Sequence, residues 1–344
     1  MNMQLDLDCP VILRDFLTYH ESIRGHSQKT SDEYFLDLRM FFRFVKWSRE
    51  KPAKNSNEPP WDEIPIADVD VRFVASISIS DVYAFMNYLS RERSRQPNSK
   101  YAGKGLSAST RARKISSIKS YFKYLTNKAH ILAENPVQDM DSPKTKKSLP
   151  HYLSLEDSLK LLESVSGPFQ TRDYCMLTLF LNCGLRISEL VGLNRADIRD
   201  ETIRILGKGN KERILYLNAA ARAAIDAYIP DRLVAAVPDA DALFTSRNRR
   251  RISAQTVHKL VKKHLFAAGL DTAVYSTHKL RHTAATLMLS NGVDVRTLQE
   301  VLGHEHLNTT QIYTHIDNAE LRTAANANPL SKVKRKKQNI VKST

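Results

Sequence analysis

The feature that most restricts how this 344-residue chain can fold is a break near its middle. Residues 142–150 read SPKTKKSLP, with two prolines, three lysines and no apolar periodicity, and Asn135-Pro136 lies just upstream. Such a stretch has no face to bury, and each residue before a proline is pushed away from helical geometry. A single core cannot run through it. The expected organisation is a helical domain over 8–132, a linker over 133–150, a second domain over 151–328 and a basic tail over 329–344.

Both halves read mainly as helix. In the first, Thr30-Ser31-Asp32-Glu33 has the form of a capping box, and Tyr34, Leu38, Phe41, Phe42 and Val45 follow at helical spacing as a core stripe. Lys51–Asp70 and Gln96–Ser107 read as surface loops between helices. Ser80-Asp81 is expected to open a helix with Val82, Phe85, Met86 and Leu89 on one face. In the second half, Ser154-Leu155-Glu156-Asp157 reads as a helix start. Another helix runs from about Thr171 to Asn182-Cys183-Gly184, and a further one from Arg186 to about Leu193. Thr202–Leu206 and Arg213–Leu217 are strand-like, joined by the turn Gly207-Lys208-Gly209-Asn210-Lys211. The remainder is mostly helical up to Pro329.

Charge points to the partner. The net charge of +15 calls for a polyanion. From Arg91 to Lys128 the single acid is Glu92, against eleven lysines and arginines. The helix expected from Ser109 buries Ile115, Ile118, Phe122 and Leu125. Its outer face carries Arg111, Arg113, Lys114, Lys119 and Lys123, the candidates for contact with DNA phosphates. The opening MNMQLDLDCP lacks a basic region followed by an apolar one, so no secretory signal is expected and the reading is a cytoplasmic protein without a membrane partner. Cys9, Cys175 and Cys183 are scattered without CxxC spacing, which argues against a disulfide framework or a zinc knuckle.

The chemistry-bearing residues lie in the second half. Arg186 sits at a turn-to-helix junction in GLRISEL, and Lys208 at a hairpin tip in GKGNKER. His278 and Arg281 share a helix face in HKLRH, His304 follows a glycine in LGH, and Tyr313 lies nine residues later in IYTH. Taken singly, each has an ordinary reading. Arg186 could simply pair with Glu189, Lys208 could be a solvated turn residue, and Tyr313 could be packing. His278 and His282 are four apart, but no HExxH glutamate accompanies them as a zinc site would require. GKGNK lacks P-loop spacing and does not open a helix.

Together and in this order, the residues resemble the tyrosine recombinase (phage integrase) family, closest to the bacterial Xer-type recombinases. The family pattern is Arg, Lys, His-x-x-Arg, His or Trp, then Tyr, and it is filled by Arg186, Lys208, His278, Arg281, His304 and Tyr313. The resemblance is strong over 151–325 and rests on helical, basic character over 10–135. It implies a mainly α, two-domain clamp around a DNA duplex: a helical, SAM-like core-binding domain and a mostly helical catalytic domain with a small antiparallel sheet. It also implies cutting and rejoining of DNA through a 3′-phosphotyrosyl bond and a Holliday junction, with neither metal nor ATP. Two always-charged arginines suit the non-bridging phosphate oxygens. Tyrosine, with a pKa near ~10, needs a base or a positive field, and the departing 5′ oxygen needs an acid. His278 is the candidate base, Lys208 the acid and His304 a donor to phosphate. The helix following the tyrosine, Asp317–Asn328 with Leu321 as anchor, would dock on a neighbouring protomer.

The biological role implied is chromosome dimer resolution by a homotetramer, or by a heterotetramer with a paralogous recombinase, with a septal DNA translocase as activator. Integration or excision of a mobile element remains an alternative, as do a catalytically silent DNA-binding regulator and a topoisomerase without site preference.

Overall fold

In the computed structural model, the described residues are 8–50, 64–93, 105–143, 151–207, 212–235, 238–303 and 318–334. The chain divides into two compact units, residues 1–148 and 149–344.

The first unit is helical among its described residues: α1 (Val11–Thr18) running into a π-helical turn (Tyr19–Ile23), α2 (Gln28–Arg49), α3 (Val71–Ala75), α4 (Ile79–Arg91) and α5 (Ala108–Asn127). Apolar residues at helical spacing explain the packing. Phe35, Leu38, Phe41, Phe42 and Val45 of α2 are fully buried against Phe85 and Leu89 of α4 and Ile118, Tyr121 and Phe122 of α5. Each such side chain contributes about 1.5–3 kcal/mol by leaving water. The caps lie upstream of the expected ones. Ser27, not Thr30, opens α2, because its hydroxyl accepts the Thr30 backbone N–H. Ser78 opens α4 in a reciprocal box with Asp81, and Ser107 opens α5. In each case a serine two or three residues earlier was free to satisfy the first orphan N–H groups.

Two expectations give way to packing. Lys51–Asp70 is not a surface loop throughout, since Ile66 and Val69 are buried and the Ile66 N–H donates to Asp8. The stretch expected to be linker from residue 133 is partly core. Val137 and Met140 are buried with the first unit, and Lys119 Nζ donates to the Met140 carbonyl at 2.6 Å.

The second unit is built around α7 (Gln170–Cys183), which is buried from Arg172 to Cys183. Packed around it are α6 (Leu155–Glu163), α9 (Ala219–Tyr228) and α11 (Thr277–Ser290), with α10 (Ala254–Ala267), α12 (Val295–Leu302) and α13 (Asn318–Ala327) completing the core. The short α8 (Ile187–Gly192) leads into an antiparallel sheet of order β1-β2-β3 among the described residues: Ile198–Arg199, Thr202–Leu206 and Glu212–Tyr216. The register pairs Ile203 with Leu215 and Ile205 with Arg213. Directly paired residues share a face, so Arg213 points to the same side as the buried Ile203, Ile205 and Leu215. Helix α13 packs on its own unit: Leu321 lies against the core and Asn218 donates to the Ala325 carbonyl. Among the described residues no helix is long and apolar enough to cross a membrane.

Candidate active site

The second unit gathers three arginines around one carboxylate. Arg186 is the N-cap of α8, extended in backbone, because the preceding Gly184 ends α7 in the left-handed region at φ +60°. Glu189, three residues on, accepts the Arg186 backbone N–H on Oε2 and the Arg186 guanidinium on Oε1, both at 2.8 Å. Arg213 reaches the same carboxylate from β3 with a two-pronged grip, Nη1 to Oε1 at 2.9 Å and Nη2 to Oε2 at 3.0 Å. Arg281, one turn after His278 on α11, lies 3.8 Å from Oε2. The Glu189 side chain is 2 % exposed, Arg281 9 %, Arg213 15 % and Arg186 34 %, so the cluster opens outward at Arg186.

The three guanidinium groups also cap the C-terminus of α12. Arg213 Nε donates to the Val301 carbonyl at 3.3 Å, Arg281 Nη2 to that of Leu302 at 2.5 Å, and Arg186 Nη2 to that of Gly303 at 3.0 Å. Arg281 Nη1 holds the Gly184 carbonyl at 2.8 Å. These carbonyls have no partner within the helix and carry its partial negative charge, so cations settle there. Two glycines make room. A Cβ on Gly184 would lie 2.7 Å from Leu302 Cδ2, and one on Gly303, itself at φ +64°, would lie 3.0 Å from Arg213 Nη1.

Burial alone would raise the Glu189 carboxyl. Hydrogen bonds and charge from Arg213, with those from Arg186, outweigh it and hold the group below its ordinary value. Burial and the charge of Arg186 pull Arg281 down to about 10 despite Glu189, so it stays charged at neutral pH. Among the described residues, Arg186 and Arg281 each use two of their five N–H donors on these partners. The others can meet an anion. A cluster of three positive charges on one negative one suits a phosphodiester that gains charge during reaction.

The sequence-expected residues divide as follows. Arg186 and Arg281 meet, and His278 is exposed on the first turn of α11. Lys208, His304 and Tyr313 lie outside the described residues. Thr283 is structural, accepting the Leu153 N–H at 2.9 Å. His258, which sequence reasoning passed over, stands beside this helix with Nδ1 3.1 Å from the Thr277 hydroxyl. Burial and the neighbouring His278 lower its affinity for a proton, and burial, Lys279 and His278 do the same for His282. Arg213 was also passed over. Its signal was an arginine on the apolar side of an alternating strand, in line with Leu215.

The basic face of α5 requires a correction. Lys114 is not on a DNA-facing surface: it is buried, with Nζ 2.8 Å from Asp37 Oδ1, and Asp37 is itself 1 % exposed. Arg113 grips the same carboxylate at 2.5 and 2.9 Å and also pairs with Glu33. Lys119 is committed to the Met140 carbonyl, Arg111 is half-buried, and Lys123 is exposed. The reason is that α2 brings an aspartate against α5, which periodicity within α5 cannot reveal.

Comparison with known proteins agrees with this geometry. The phage integrase family model matches residues 151–320. Tyrosine recombinase XerC of Caldanaerobacter subterraneus subsp. tengcongensis is 48% identical over 326 residues, covering 94% of this chain and 88% of the relative. XerC of Thermodesulfovibrio yellowstonii is 33% identical over 93% of this chain and 97% of its own length. Among solved structures, the fold is shared with XerH site-specific recombinase in a post-cleavage complex on palindromic difH (TM-score 0.59, 21% identity, 92% of this chain and 94% of that one). It is also shared with a lambda integrase dimer bound to a COC′ core site (TM-score 0.57, 18% identity, 89% and 99%). The expected fold, mainly helical with a small antiparallel sheet, is the fold observed. The chain therefore belongs to the phage integrase family, the tyrosine recombinases.

Proposed function

We propose that the chain recombines DNA at specific sites by transesterification, with Arg186 and Arg281 holding the scissile phosphate. The observation that carries this reading is the convergence of both arginines on Glu189 and on the end of α12, beside the start of the segment that contains His304 and Tyr313. In the proposed step the Tyr313 phenol oxygen bonds to phosphorus while the bond from phosphorus to the 5′ oxygen breaks. His278 takes the phenol proton, and Lys208 supplies one to the 5′ oxygen. The link stores the energy of the broken ester, so the reverse attack by a 5′ hydroxyl reseals the strand without ATP. His304 donates to a non-bridging oxygen as charge builds there.

The expected substrate is a double-stranded recombination site bound by several copies of the chain. Supporting this, related folds have been captured on DNA as a lambda integrase dimer and as a lambda integrase tetramer on a Holliday junction. The Xer-like role, resolution of chromosome dimers by a homotetramer or with a paralogue and under a septal translocase, is supported by relatives named XerC at 48% and 33% identity. Arg111 and Lys123 are proposed to meet phosphates from the first unit; Lys114 is buried on Asp37, Lys119 is held by the Met140 carbonyl and Arg113 is largely neutralised.

A nicked suicide site tests the chemistry. Wild type should trap a covalent protein–DNA adduct, and Tyr313→Phe should trap none. An adduct that persists in Tyr313→Phe overturns the assignment of the nucleophile. Sequencing the trapped DNA from cells tests the role: a chromosomal site outside any mobile element is expected, and the ends of a mobile element would overturn it.

A further inference from the structure

Among the basic residues around Glu189, Arg213 grips the carboxylate by both oxygens. Arg213 directs all three of its observed hydrogen bonds inward, two to Glu189 and one to the Val301 carbonyl. Its side chain is 15 % exposed, against 34 % for Arg186. We infer that Arg213 is a positioning residue for strand cleavage, which occupies Glu189 so that the guanidinium groups of Arg186 and Arg281 remain available to the scissile phosphate. The inference rests on the proposal that those two arginines hold that phosphate.

Glu189 is needed to orient Arg186, because it holds both the backbone N–H and one guanidinium nitrogen of that residue. A buried carboxylate is also a competitor for the same cations, and it attracts them more strongly than it would in water. Arg213 resolves the conflict by bonding to both carboxylate oxygens at once, the strongest arrangement open to a guanidinium. With Arg213 present, the cluster of three arginines and one carboxylate carries two net positive charges. Without it, one remains, and the Oε2 atom it leaves lies 3.8 Å from Arg281, close enough to draw that residue inward. Arg186 would likewise turn further onto Oε1.

A second observation supports the placement. Gly303 has no side chain where Arg213 lies: a Cβ there would be 3.0 Å from Nη1 and 3.1 Å from Cζ. The Gly303 carbonyl meanwhile accepts from Arg186. The glycine of the LGH word thus accommodates Arg213 on one side and Arg186 on the other, and this links the KER and LGH words through a contact neither reveals alone.

The test compares two substrates in single-turnover cleavage by the full chain. One carries the natural scissile phosphodiester; the other carries a methylphosphonate, which is neutral and needs less positive charge in its transition state. Arg213→Gln is expected to slow cleavage of the phosphodiester by about tenfold to a hundredfold, by analogy with the loss of a residue that orients a metal ligand. On the methylphosphonate the same variant should lose at most about a few-fold. Adding Glu189→Gln restores two positive charges, so the double variant should cleave the phosphodiester faster than Arg213→Gln alone. Arg213→Lys keeps the charge without the two-pronged grip and should fall between wild type and Arg213→Gln. Equal losses on both substrates, or a double variant no faster than the single one, would mean a purely structural role and overturn the inference. So would a wild-type rate in Arg213→Gln. Arg186→Ala is the control: if it cleaves the phosphodiester like wild type, the phosphate assignment itself has failed.

Discussion

Asp37 in the first unit and Glu189 in the second are both buried carboxylates ringed by cations, and they do opposite work. Asp37 accepts from Arg113, Lys114 and Ser117, all on α5, and so ties α2 to α5. Its cations come from one helix face and end on the carboxylate. Glu189 draws Arg186, Arg213 and Arg281 from the start of α8, from β3 and from α11, and Arg186 and Arg281 each keep three of their five donors beyond the bonds described. With Glu33 also paired to Arg113, the first cluster is internally neutralised and serves the fold. The second holds excess positive charge against the end of a helix, where an anion can replace or join the carbonyls. A buried carboxylate amid arginines therefore does not reveal its role by composition. The surplus of cations and the direction of their unused donors do.

The sharpest way to break the comparison is to remove one cation from the second cluster. Arg186→Ala should reduce adduct formation on the order of a thousandfold, since it removes both charge and oriented donors from the phosphate that residue is proposed to hold. Gel-shift affinity for the site should stay within a few-fold of wild type. An equal fall in affinity and cleavage would make Arg186 a fold element like Arg113. The complementary experiment is Asp37→Ala, which leaves Lys114 buried and strips Arg113 of its main partner. It should destabilise the first unit by about 3–5 kcal/mol in urea unfolding. An unchanged midpoint would show that the Asp37 cluster does not hold the helices together.

Acid separates the two units by a smaller amount. His20 is buried between Phe16 and Tyr34, and burial with the nearby His26 and Arg24 pushes it down to about 4. Between about 6.5 and 4 the unfolded chain takes up a proton that the folded one refuses, so stability falls as the pH is lowered through that window, on the order of 2 kcal/mol in total. His20→Gln should flatten that slope. Glu189, held below its ordinary value, contributes stability that is present above the unfolded carboxylate range near ~4.3 and is lost only as the pH falls through its lower folded value. Urea midpoints followed from pH 7 to 4 check the order of these losses; a slope unchanged in His20→Gln would count against it.

The smallest effects concern DNA affinity. Lys123→Ala should reduce the slope of log affinity against log salt by about one, as expected for one phosphate contact. Lys114→Met should leave the slope unchanged, because that lysine is spent on Asp37. A slope change in Lys114→Met would return it to the DNA-facing set.

Much of the second unit was legible in the chain. The ends of α7, the two long strands and the positions of Arg186 and Arg281 follow from a helix-ending glycine, β alternation and i, i+3 spacing, all of which act over a few residues. The caps of α2, α4 and α5 were displaced because several serines and threonines compete within one turn, and the winner depends on where packing starts the helix. Ile66, Val69, Val137 and Met140 looked like loop and linker because isolated apolar residues in polar stretches have no period to betray them.

By itself, the order of GLRISEL, GKGNKER, HKLRH, LGH and IYTH pointed to the tyrosine recombinase family, because the words identify it as a set whatever their surroundings. Which anion each arginine and lysine is set against was decided only by the tertiary structure. Asp37 and Arg113 are 76 positions apart, and Arg186 meets the Gly303 carbonyl across 117. A cation's role depends on which anion the fold sets against it, and electrostatic pairing in a buried site acts through space over a few ångströms with no regard to separation along the chain.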